Sequence, residues 1–248
     1  MIQNAAGKGL TYSIDEKSDL RAGDIRMSER GVIFSVCPDG NNHEIRLGIP
    51  GRFSVYNALA AVAACLNIGV DITDIEKGLV LAKSVKGRIE VVHTATSYTV
   101  IIDYAHTPDA VENVLKTINE IVNSNATKQS GPAQVITVVG CGGNRDKGKR
   151  PIMARIAFEQ STVLILTSDN PRDEEPQDIL REMAAGLTSE ELQRVLIIED
   201  RASAIKTACT IAQRGDVVLV AGKGHENYQI IKGVKHHFDD HEVVKSCL

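Results

Sequence analysis

Four short segments concentrate the residue types that bind or transform small molecules. They are Asp103-Tyr104-Ala105-His106-Thr107-Pro108, Gly140-Cys141-Gly142-Gly143-Asn144-Arg145-Asp146-Lys147-Gly148, Ser168-Asp169-Asn170-Pro171-Arg172 and Gly222-Lys223-Gly224-His225-Glu226. The guanidinium groups of Arg145 and Arg172 suit bidentate carboxylate binding. Asn170 offers both a donor and an acceptor, and Glu226 can hold an ammonium. Together these groups suit a zwitterionic amino acid. Taken singly, each arginine reads better as a surface salt bridge, which stabilises little; it is the grouping that favours a site. His106 and His225 each read first as structural residues at helix starts. No further His, Cys, Asp or Glu spacing makes a metal site.

The glycine-rich segment is not a dinucleotide loop, because the pattern G-x-G-x-x-G needs glycine where Arg145 stands. No G-x-x-x-x-G-K-[ST] phosphate loop occurs anywhere, and Gly222-Lys223-Gly224-His225 is too short for one. Residues 140–143 read equally as a tight turn or as backbone amides turned toward an anion, with Arg145 beside them.

The elements that must position these segments alternate. Apolar runs at 90–93, 99–103, 135–139, 163–167, 195–198 and 217–220 alternate with helical patterns at 108–122, 151–159, 176–187 and 201–214. That rhythm implies a Rossmann-like, mainly parallel sheet with helices on both faces. Ligands of such sheets sit at the strands' carboxyl ends, where all four segments fall. Thr107-Pro108-Asp109 places a cap, a first-turn proline and an acid in order. Residues 123–132 read as an exposed loop, and 228–232 with 235–238 as a closing hairpin around Gly233.

Residues 1–86 read differently. Short β runs at 10–14, 32–37 and 43–47 come first, the last two joined by a turn at 38–42. Ser54 is expected to cap a helix carrying Val55, Leu59, Val62, Ala63 and Leu66, stopped by Gly69. Asp71 is expected to cap a second helix with Ile72, Ile75, Leu79 and Leu81. Two short helices and hairpins bury little area alone, so residues 1–86 read as the end of one domain and 87–248 as another.

The bulk numbers bound the function. The chain has 248 residues, 43% hydrophobic and 24% charged, with a net charge of −4. That composition excludes disordered and fibrous classes. No apolar run approaches the roughly 18 residues of a membrane span, and the first residues lack the apolar core of a secretory signal. No basic stripe interleaved with aromatics points to nucleic acid. Five scattered cysteines with no CxxC pair fit reduced thiols, so a cytoplasmic location is expected.

These residues carry a resemblance. Gly51-Arg52-Phe53-Ser54-Val55-Tyr56-Asn57-Ala58-Leu59-Ala60-Ala61, Gly87-Arg88-Ile89-Glu90 and the four segments above occur in the order found in the Mur ligase family. The Asp169-Asn170-Pro171-Arg172 segment resembles that of the branch adding meso-diaminopimelate. The resemblance implies an ATP- and Mg2+-dependent amide ligase of peptidoglycan synthesis. ATP phosphorylates the free carboxylate of UDP-MurNAc-L-Ala-D-Glu, and the amine of meso-diaminopimelate attacks the acyl phosphate. Carried over by position, Arg145, Asp169, Asn170, Pro171, Arg172, Gly222 and Glu226 would bind diaminopimelate. Asn57, Arg88, Asp103, Tyr104 and His106 would meet the nucleotide.

The resemblance also implies a monomer with small-molecule partners, and residues 1–86 as a β-rich and helical remnant of a central ATPase domain. The family's UDP domain, Gly-Thr-Asn-Gly-Lys-Thr loop, central magnesium ligands and carbamylated-lysine position have no counterpart here. The chain therefore reads as a C-terminal fragment, expected to form no product alone. The alternatives are a lysine-adding or folylpolyglutamate-type ligase, or a non-catalytic amino-acid-binding fragment.

Overall fold

In a computed structural model the chain is described over residues 9–28, 31–82, 85–92, 95–125 and 133–247. It divides into two compact units, Met1–Ser84 and Val85–Leu248.

The first unit begins with a short parallel pair, β1 (Tyr12–Ser13) and β2 (Leu20–Arg21). The strand expected at 10–14 shrinks to these two residues. An antiparallel sheet follows, formed by β3 (Gly23–Ser28), β4 (Gly31–Val36) and β5 (His43–Leu47). The expected turn at 38–42 joins β4 to β5, with Gly40 at φ 89 supplying its left-handed step. Helices α1 (Arg52–Asn67) and α2 (Ile72–Leu81) complete the unit. Phe34, Ile45, Leu59, Val62, Ile72 and Ile75 share its core.

Ser54 is not the cap of α1. The helix starts at Arg52, after Gly51 at φ 97, and the buried Ser54 Oγ donates to Pro50 O at 2.8 Å. Glycine can take that backbone turn without a side-chain acceptor, so the first turn forms three residues earlier than the hydroxyl suggests. Asp71 does cap α2, accepting from Thr73 N at 2.8 Å.

The second unit is the alternating one. It runs β6 (Glu90–Val92), β7 (Thr99–Asp103), α3 (Pro108–Asn125), β8 (Val135–Cys141), α4 (Lys149–Gln160), β9 (Val163–Ser168) and α5 (Pro176–Ala184). It continues with α6 (Ser189–Leu192), β10 (Val195–Ile197), α7 (Arg201–Ile211), β11 (Val217–Ala221), β12 (Tyr228–Ile231), β13 (Val234–His237) and α8 (Asp240–Ser246). The six-stranded sheet has the order β10-β9-β8-β11-β7-β6, parallel except for β6 at its edge. His93 and most of the loop expected at 123–132 lie outside the described residues. Helices α5 and α7 end three residues short of their expected limits, and α4 begins two residues early, at Lys149.

Period-two burial explains the layering. Along β11, Val217, Leu219 and Ala221 join the core under α3, α4 and α5. Val218 and Val220 join the core under α7 and α8. Both faces are covered, and every residue of β8 and β11 is buried.

Candidate functional site

The carboxyl ends of β9, β8, β11 and β7 are neighbours in the sheet, with Cys141 opposite Ser168 and Ala221 opposite both Asp103 and Val139. The loops that leave these ends surround a cleft of about 580 Å³. Arg145, Asp169, Asn170, Arg172, Gly222 and Glu226 line it, together with Tyr104 and His106. Pro171 is buried and not among the lining residues.

The cleft has two electrostatic poles. Among the described residues, no carboxylate lies within ion-pair distance of Arg145 or Arg172. Arg145 is exposed and donates only to Asn144 O, at 3.3 Å. Arg172 donates through Nη1 to Gly143 O at 2.9 Å, leaving Nε and Nη2 without a partner among the described residues. Arg172 is held in the left-handed region at φ 53, a conformation rare for a residue with a side chain. Backbone bonds impose it: Arg172 N donates to Ile230 O at 2.9 Å and Lys232 N to Arg172 O at 2.5 Å. The β12 strand thereby aims the guanidinium. Asp169 and Glu226 form the opposite pole, and Asn170 Nδ2 donates to Glu226 Oε2 at 2.9 Å.

A buried network braces the two arginine-bearing loops against each other. Arg150, fully buried, donates to Glu174 at 2.9 and 3.0 Å, to Glu182 at 2.5 Å and to Gly142 O at 3.1 Å. Glu174 also accepts from Asn144 N at 2.6 Å. Chiefly through Arg150, the Glu174 carboxyl is drawn down from 4.5 to about 2. A lowered carboxyl stabilises the fold above its ordinary titration range, and that contribution is lost as pH falls toward about 2. Glu174→Gln is therefore expected to lower the melting temperature at neutral pH and to flatten its fall between about pH 5 and 2. Parallel pH profiles for the two proteins would count against this.

Gly143 closes the same junction. Its amide donates to Asn170 O at 2.8 Å, so this amide is not free for an anion. A Cβ there would stand 1.9 Å from the Pro171 carbonyl oxygen. Gly143→Ala is expected to cost about 1–3 kcal/mol, as overpacking does, and to part the two loops. A melting temperature equal to that of the unmodified chain would contradict it.

The nucleotide candidates are placed less uniformly. Tyr104 and His106 line the cleft with ring centroids 4.6 Å apart, and the Arg88 guanidinium lies 5.1 Å from the Tyr104 centroid. Burial, and secondarily Glu226, raises the Tyr104 phenol. Asp103 is buried outside the cleft, where Oδ2 accepts from Ile89 N and Oδ1 from Ala105 N, each at 2.8 Å. Burial pushes its carboxyl up despite those bonds. Asn57 is exposed on α1, in the first unit.

Three residues of the site escape local reading. Lys149 lines the cleft and donates to His106 O at 2.7 Å. Arg150 and Lys223 are fully buried cations, whereas lysine and arginine ordinarily signal solvent. Only the density of acids at 173–182 hinted at a partner for Arg150. Among the described residues there is no group of three or more His, Cys, Asp or Glu arranged to hold a metal, and no helix is long and apolar enough to cross a membrane.

Residues 87–224 match the family model described as Mur ligase, glutamate ligase domain, and residues 1–65 that of the Mur ligase middle domain. A protein of Phocaeicola vulgatus named UDP-N-acetylmuramoyl-L-alanyl-D-glutamate--2,6-diaminopimelate ligase is 48% identical over 245 residues, which is 99% of this chain and 48% of that protein. Its namesake in Bacteroides fragilis is 49% identical, with the same coverage. A solved structure of a ligase of that name superposes with a TM-score of 0.70 at 39% identity, covering 96% of this chain and 47% of the other. The chain spans about half the length of the curated relatives it matches.

Proposed function

The chain belongs to the Mur ligase family, and on that premise we propose that it serves the ATP-dependent addition of meso-diaminopimelate to UDP-MurNAc-L-Ala-D-Glu in peptidoglycan synthesis. The second unit supplies the amino-acid cleft, and the first unit belongs to the end of the central ATPase domain. The observation that carries the reading is the two-pole cleft. Arg145 and Arg172, unpaired with any described acid, face the same space as Asp169 and Glu226. A diamino-dicarboxylic acid presents matching ammonium and carboxylate groups. Lysine has no distal carboxylate to offer the arginines. The names of the relatives support the same substrate.

In this reading Arg145 and Arg172 clamp carboxylates, and Asn170 and Glu226 orient an ammonium beside Asp169. Pro171 fixes the backbone between Asn170 and Arg172, and Gly222 leaves room at the cleft floor. Holding the amine in one orientation is the chain's main contribution to rate, since attack on an acyl phosphate needs positioning more than further activation. Arg88, Tyr104 and His106 of the second unit contact the nucleotide, and Asn57 is the first unit's own candidate for nucleotide binding. Asp103 acts on that contact only by holding the backbone at Ile89 and Ala105. ATP supplies the phosphoryl group and Mg2+ would neutralise its charge; the described residues offer no cluster to hold that ion. The protein acts as a monomer in the cytoplasm.

Titration of meso-diaminopimelate and of L-lysine into isotopically labelled chain tests the reading. Diaminopimelate is expected to shift the amide signals of Arg145, Asn170, Arg172 and Glu226 at concentrations where lysine leaves them in place. Equal shifts by both amino acids, or shifts confined to other residues, would overturn it.

A further inference from the structure

Lys223 lies behind the acidic pole of the cleft with no exposed surface. Its ammonium donates to Tyr228 O at 2.6 Å and to Asn170 Oδ1 at 3.2 Å. It also stands 3.2 Å from Asp169 Oδ1 and 3.8 Å from Glu226 Oε2. The rings of Tyr228 and Phe238, centred 5.8 and 6.0 Å from Nζ, wall it from water. Two cleft carboxylates thus share one fixed cation. The fully buried pair Arg201–Asp240 of the same unit is neutral as a pair and leaves this count unchanged.

We infer that Lys223 is a positioning residue that sets the acidic pole at one net negative charge, the complement of a single ammonium, and that fixes the direction in which Asn170 points. The second part follows from donors and acceptors. Asn170 Oδ1 accepts from both Lys223 Nζ and Ile230 N, the latter at 2.9 Å. An oxygen that takes two donors orients the whole carboxamide, so Nδ2 must face Glu226. The first part follows from burial. Two carboxylates at nine-tenths burial or close to it repel each other strongly without a cation between them, and a ligand ammonium would then have to satisfy both. With Lys223 in place the charge of Asp169 is already offset, although its buried Oδ1 accepts no hydrogen bond, and Glu226 keeps an oxygen for the ligand. Tyr104 Oη, 3.5 Å from Glu226 Oε1, is the neutral group on the open side.

The inference rests on the diaminopimelate reading, and one set of titrations separates the two. Calorimetric affinity for meso-diaminopimelate is measured for the unmodified chain, Lys223→Met, and Lys223→Met combined with Asp169→Asn, with melting temperatures alongside. Methionine keeps the length of the buried stem and removes the charge. The single variant is expected to lose on the order of tenfold or more in affinity. The double variant restores one net negative charge and is expected to recover most of both affinity and melting temperature. A lysine that merely packs predicts that the second substitution adds damage, and a double variant worse than the single one would overturn the inference. Unchanged affinity in Lys223→Met would overturn it as well. Failure of the unmodified chain to bind would instead overturn the substrate reading, and the inference with it.

Discussion

Replacing Arg172 by alanine is expected to weaken meso-diaminopimelate binding by roughly 30- to 4000-fold while changing lysine binding far less. Removing one member of a charged pair in a desolvated site costs about 2–5 kcal/mol, and each 1.4 kcal/mol is tenfold. Lysine lacks the distal carboxylate and never used the contact. Arg172→Lys is expected to rescue little, because an ammonium lacks the planar fork. A glycine control separates binding from folding. At φ 53 glycine relieves the left-handed strain, offsetting the hydrogen bond lost to Gly143 O. Arg172→Gly should therefore keep its stability within about 1 kcal/mol while losing the ligand as the alanine variant does. Equal losses for diaminopimelate and lysine would make Arg172 a structural residue.

The largest effect on stability is expected at the far side of the sheet. Arg201 and Asp240 are both fully buried and pair through two bonds of 2.7 Å, while Arg201 Nη2 also donates to Ala221 O at 3.0 Å. Asp240→Ala strands a guanidinium in the core, at a cost of about 3–5 kcal/mol. For a unit of this size each kcal/mol is worth about 2–4 °C, so the melting temperature should fall by on the order of 10 °C. Replacing both partners, as Arg201→Met with Asp240→Leu, removes the charge and the orphan together and should recover most of the loss. The pair also ties α7 and α8 to the last residue of β11, one step before Gly222 in the cleft. A single variant that melts within a degree of the unmodified chain would show that the pair is not closed to water.

The parallel sheet was legible because its signal is local. Runs such as 135–139 and 217–220 are apolar throughout, as strands covered on both faces must be, and each is followed by a helix start. The placement of the cleft followed from the same rule, since its loops leave adjacent strand ends. Strand β3 was not legible, because Gly23–Ser28 carries Asp24 and Arg26 on an open face and reads as loop. The start of α1 was misplaced because the turn at Gly51 depends on backbone freedom, which a search for side-chain caps overlooks. The deeper omissions share one cause. Arg150, Arg201 and Lys223 are buried by partners 24 to 53 residues away, and no window of sequence shows that a cation is closed off by a distant acid. For Asp103 the same blindness worked in reverse. It stands among cleft residues in sequence, yet both its oxygens are spent on backbone amides.

One cleft is proposed to hold an amino acid between two arginines and an acidic pole. Diffraction from crystals of the chain grown with saturating meso-diaminopimelate tests it most directly. Ligand density is expected in the cleft, with a carboxylate within hydrogen-bond distance of the Arg172 guanidinium and an ammonium within reach of Glu226. Density for the ligand elsewhere, or in the cleft with its carboxylates turned from both Arg145 and Arg172, would contradict it.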